Sequence, residues 1–131
     1  MIEHNIITAR NYAYIVIKQS PGYDAFVNAS RIFVADPDFT PELHRLCDFS
    51  QADLSHISMS QMLAYAQYAR ENIPMTPTTR VALVAPGDDK MGIFRSFKDS
   101  INNGNFQLFH QPEDAVLWIN TPQTIGDSAP V

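Results

Sequence analysis

Apolar positions along the chain fall into two spacings, one of two residues and one close to four. Residues Ile2 to Thr8 and Tyr12 to Lys18 are rich in β-branched and aromatic side chains, which suit a pleated surface. Only Ala9, Arg10 and Asn11 separate them, so an antiparallel hairpin is expected. Ser20-Pro21-Gly22 breaks the pattern. From Tyr23 to Val34 the spacing becomes helical, with Phe26, Ala29, Ser30 and Phe33 on one side. Asp36-Pro37 ends that helix, because a residue before proline avoids the helical region.

Glu42 to Phe49 (ELHRLCDF) reads as the next strand. Ser58 and Gln61 then form a capping-box pair ahead of a helix that runs to about Asn72 and stops before Pro74. Its expected inner stripe is Met59, Met62, Leu63, Ala66 and Ala69. Arg80 to Ala85 holds a continuous apolar run of the kind found in strands buried on both faces. Pro86-Gly87 turns the chain, and Asp88 or Asp89 can cap a further helix. That helix carries Met91, Phe94, Phe97, Lys98 and Ile101 inward and stops at Asn103-Gly104. Phe106 to His110 is a last short strand. Pro112 opens a final helix, with Glu113 and Asp114 complementing its dipole and Ala115, Leu117, Trp118 and Ile119 as apolar anchors.

The order is β-β-α-β-α-β-α-β-α. It implies an α/β fold of about five strands in a mostly parallel sheet, with an antiparallel N-terminal edge strand and four helices. Residues 1–120 are expected to form a single domain, and 121–131 a polar C-terminal tail with two prolines and a glycine.

Composition narrows the function. Hydrophobic residues make up 45% and charged residues 18%, an ordinary globular mix for a chain of 131 residues. Fourteen acids against nine bases give a net charge of -5, and the bases are scattered, which argues against nucleic acid as a partner. Cys47 is the only cysteine, so no internal disulfide can form. The N-terminus lacks the pattern of a secretory signal, and no apolar stretch approaches the ~20 residues of a membrane span. A cytoplasmic location with no membrane partner is the expectation.

Three segments carry a resemblance. Arg80-Val-Ala-Leu-Val-Ala-Pro followed by Met91-Gly-Ile-Phe-Arg95 resembles the "rVAvVa … fG-aR" stretch of SpoIIAA-like proteins. Phe109-His-Gln-Pro-Glu-Asp-Ala-Val-Leu-Trp-Ile119 resembles their "vF-d-eeAlaWL" terminus. Ala35-Asp-Pro-Asp-Phe39 with Leu46-Cys-Asp-Phe49 resembles "aDp-f … lvDl". The chain is thus similar to the uncharacterised bacterial branch of the SpoIIAA-like group, the fold of STAS domains and of the anti-sigma-factor antagonists. The resemblance implies a βα superhelix with strands in sequential order. It also implies a non-enzymatic regulatory or protein-interaction domain. In the antagonists, a strand ending in "DLS" leads to a phosphorylated serine. Here Asp48-Phe49-Ser50 matches the start of that motif, but the family's spacing falls on Ile57, with Ser58 next to it.

Ser58 is therefore the candidate phosphosite, beside its plainer role as a helix cap. No residues are assigned as catalytic, cofactor-binding or metal-binding. His4, His44, His56 and His110 do not pair at ligand spacing. In the strand ELHRLCDF, His44 and Asp48 share one face and Cys47 points to the other, which breaks up a nucleophile–base set. Asp88 and Asp89 at a strand-to-helix turn read as a cap with solvated charge. Two further features can bind something. Tyr12, Tyr14 and Val16 alternate onto one strand face, the candidate interface for a protein partner or a homodimer. Met59, Met62, Met75 and Met91, with the phenylalanines, supply the alternative, a pocket for a small apolar ligand.

Overall fold

Asn11 closes the first hairpin in the left-handed region at φ 56° and ψ 44°, a conformation that asparagine tolerates better than most residues. This is a computed structural model, and it describes residues 1–85, 95 and 105–121. Strand β1 (Ile2–Ile7) and strand β2 (Tyr12–Gln19) flank a 3-10 turn at Thr8–Arg10. Their antiparallel register sets Ile7 against Tyr12 and Ile2 against Ile17. The Asn11 carbonyl then accepts from the His44 amide at 3.1 Å, so the hairpin turn also fixes where the third strand begins.

The remaining described elements are helix α1 (Tyr23–Ala35), strand β3 (His44–Ala52), helix α2 (Met59–Asn72), strand β4 (Val81–Val84), strand β5 (Phe106–Phe109) and helix α3 (Pro112–Asn120). The strands form one sheet in the order β1-β2-β3-β4-β5. β1 pairs antiparallel with β2, and all later pairs are parallel. This is the sheet the sequence implies. The helix expected around Met91–Ile101, the Asp88/Asp89 turn and the tail beyond Thr121 lie outside the described residues.

Sequential parallel strands joined by right-handed crossovers place their helices on the same face. α1 and α2 accordingly pack on one side, over Ile17, Phe49, Leu83 and Phe106. α3 covers the other side, where Ala115 and Ile119 meet Tyr12, Leu46, Ala82 and Val84. β4 shows the alternation plainly. Val81 and Leu83 join the first layer, Ala82 and Val84 the second, and all four are buried. Two-sided burial is why this strand reads as an unbroken apolar run.

Three expectations need correction. β3 runs to Ala52, three residues beyond the expected end at Phe49. A register shift between Val16 and Lys18 lets Lys18 pair with Gln51 and Gln19 with Ala52. On α2, Met59 and Leu63 are 41% and 38% exposed. The helix is rolled so that Met62 and Ala66 lie in the core and Tyr65 packs against it. On α3, Leu117 is 70% exposed, while Ala115 and Ile119 are the buried anchors.

Candidate functional site

Between the sheet and the α1/α2 layer lies a cavity of about 140 Å³. Its floor follows from strand alternation: Ile15 and Ile17 of β2, and Cys47 and Phe49 of β3, turn toward the helices. α1 contributes Phe26, Ala29 and Phe33, spaced by three and four residues on one face. α2 contributes Met62, Tyr65 and Ala69 in the same way. Small side chains at Ala29 and Ala69 leave space that larger residues would fill. Exposed Ile32 and Arg70 also line the cavity, so it reaches the surface between the C-terminal halves of the two helices.

The polar groups in this lining are largely engaged. The Ser30 hydroxyl donates to the Phe26 carbonyl at 2.9 Å and receives the Tyr65 hydroxyl at 2.6 Å. Burial raises the Tyr65 phenol well above its usual range, so it stays protonated. Burial likewise pushes the Cys47 thiol up to about 12. A neutral, buried thiol is a poor nucleophile.

At the edge of the cavity sits Arg45, only 4% exposed. Its Nη2 donates to the Pro74 carbonyl at 2.9 Å and to the Thr40 carbonyl at 3.4 Å. The guanidinium lies 5.7 Å from the Phe33 ring centroid and 5.3 Å from that of Phe39. Its Nε is buried with no hydrogen-bond partner. Burial lowers the guanidinium to about 10, which still leaves it a cation near neutral pH. No sequence motif singles this residue out. Its signal was present, since strand alternation puts Arg45 on the same inward face as Cys47 and Phe49.

The other candidates are dispersed. Ser58 caps α2 through a complete capping box: its Oγ accepts from the Gln61 amide at 3.1 Å, and its own amide donates to Gln61 Oε1 at 2.8 Å. Ile57, where the antagonists' spacing would place a phosphorylated residue, is buried in the core. Tyr12 is buried beneath α3, and Tyr14 and Val16 are half-buried. The Tyr14 hydroxyl donates to Asp48 Oδ2 at 2.7 Å. Burial and the Asp48 carboxylate together raise the Tyr14 phenol above its usual range.

His4 hydrogen-bonds Asp36 at 2.8 Å, on the α1 side of the sheet. The Asp38 amide and then His4 hold the Asp36 carboxyl below its ordinary value. His44 Nδ1 accepts from the Arg80 amide at 2.9 Å. Burial, with Arg80 and Arg45 nearby, lowers the His44 pKa. Among the described residues, no three histidines, cysteines or acids are grouped as metal ligands. Met62 and Met75 line the cavity, Met59 is exposed, and Met91 lies outside the described residues.

No protein-family model matches the chain, and no curated protein matches it. A solved structure does. The chain is similar to an uncharacterised protein of the DUF3478 family with a SpoIIAA-like fold, from Shewanella loihica PV-4. The two share 16% identity with a TM-score of 0.64, over 91% of this chain and 92% of that one. At that identity the likeness is one of fold. It agrees with the SpoIIAA-like architecture expected from the motifs. No helix among the described residues is long and apolar enough to cross a membrane.

Proposed function

We propose that this protein is a non-enzymatic binding domain that takes a small apolar ligand between its sheet and the α1/α2 layer. The cavity of about 140 Å³ carries this reading. An apolar chamber of about 150 Å³ is large enough to stay dry and hold a benzene-sized molecule. Its walls are mainly aliphatic and aromatic, and the Ser30 and Tyr65 hydroxyls satisfy each other rather than converging on a reacting atom. Cys47 is a neutral wall residue.

Native mass spectrometry of protein purified from its own host is the direct test. The reading expects a released molecule of low polarity at up to one per chain. Recovery of the bare chain alone, from gentle and rapid preparations, counts against it.

A second reading is supported by Met59 and Leu63. They are exposed four residues apart on α2, which makes an apolar strip beside the Ser58 cap. Such a strip suits a protein partner, as expected of a regulatory domain in the cytoplasm. The Tyr12, Tyr14 and Val16 face is less suited, since Tyr12 lies under α3. Cross-linking through a cysteine at position 63 would distinguish the surfaces. This reading requires a specific product from α2 and fails if only random adducts form.

A further inference from the structure

Buried guanidinium groups are normally matched by carboxylates or by a full set of acceptors. Arg45 has neither. Its side chain is 4% exposed, and the hydrogen bonds it makes are the two from Nη2 to backbone carbonyls. Its Nε has no acceptor. Among the described residues the ion pair found is between His4 and Asp36, and no carboxylate pairs with Arg45. Phe33 and Phe39 beside the guanidinium offer ring faces, which stabilise a cation but do not accept the Nε–H in its own plane. A positive charge is thus held at the wall of a chamber lined mainly by apolar side chains, with Glu3, His4 and Arg70 as the other charged or titratable groups in the lining.

We propose that the ligand is a small monocarboxylate whose apolar body fills the cavity and whose carboxylate pairs with Arg45. This rests on the apolar-ligand reading above and specifies its chemical class. The planar guanidinium fork matches a carboxylate better than a point charge would. The ring-lined setting strengthens such a pair by excluding water. Cavity size limits the body to about six carbons, since a comparable chamber accommodates benzene. Entry is between exposed Ile32 and Arg70, at the C-terminal ends of α1 and α2. Phe33 in the last turns of α1 and Pro74 just after α2 bring Arg45 to that same end.

The test compares hexanoate with hexanamide, which have nearly the same shape but differ in charge. Both are titrated into the full chain near neutral pH, and amide shifts in NMR spectra give the dissociation constants. The expected result is a preference for hexanoate of about tenfold or more, the scale of one hydrogen bond to a charged group. Arg45→Met removes most of that preference, whereas Arg45→Lys keeps part of it. The comparison on the unaltered protein stands even if a variant folds poorly. Equal binding of acid and amide overturns the carboxylate assignment while leaving the apolar site intact. A preference that survives Arg45→Met assigns it to another cation and overturns the role of Arg45. Failure of both probes to bind overturns this proposal and the apolar-ligand reading together.

Discussion

The Tyr65 hydroxyl donates to Ser30 Oγ at 2.6 Å, and the Ser30 hydroxyl in turn donates to the Phe26 carbonyl at 2.9 Å, joining α2 to α1 over the cavity. The chain of bonds is directional. Tyr65→Phe removes one donor and leaves Ser30 bonded to Phe26, so a loss of about 1 kcal/mol is expected. Ser30→Ala removes both bonds of the chain, the one from Tyr65 and the one to Phe26, so a larger loss of about 2 kcal/mol is expected. Urea denaturation of the two variants gives the order. A larger loss for Tyr65→Phe would show that the pair is not the tie between the helices.

The Ser58 cap is separable from any signalling role. Its side chain satisfies the Gln61 amide, and Gln61 returns the bond. Ser58→Ala therefore costs about 1 kcal/mol, and Ser58→Asp, which keeps an N-cap acceptor, costs much less. Thermal or urea unfolding measures both. Equal losses would mean that the cap contributes little.

His44 gives the protein an acid-side sensitivity. In the fold its Nδ1 accepts the Arg80 amide, and a proton there would remove that acceptor between two guanidinium groups. Its pKa in the fold lies below the ordinary 6.5, so the unfolded chain takes up the proton first as pH falls. The stabilisation is fully present above 6.5 and is lost as pH drops through the folded value. His44→Asn can still offer an oxygen to the Arg80 amide but does not titrate. The variant is expected to show a shallower decline in stability below pH 6.5 than the parent. An unchanged slope in paired urea titrations removes His44 as a source.

Much of the sheet was legible because strand pairing rewards patterns that sequence displays directly. The run at Val81–Val84, the hairpin around Asn11 and the limits of α2 set by Ser58 and Pro74 are local signals. Helix rotation is not local. Met59, Leu63 and Leu117 are apolar by type, yet neighbours across the layer decided that Tyr65 and Ile119 face inward. The length of β3 depended on how β2 bends near Val16, which β3's own residues do not encode. Alternation gives the side of the sheet on which Arg45 lies, but its burial depends on Phe33, Phe39 and the segments at Thr40 and Pro74 closing around it, which β3's own residues do not encode.

Whether the space between the sheet and the helices is a binding site is best measured with benzene, a neutral apolar probe that matches the cavity in size, followed through amide shifts in NMR spectra. Saturable shifts of the residues lining the cavity, at one site per chain, are expected. Ala69→Leu, which adds bulk to the cavity wall on α2, should abolish them while the circular dichroism spectrum is preserved. Shifts that never saturate, or binding that persists unchanged in folded Ala69→Leu protein, would contradict the account.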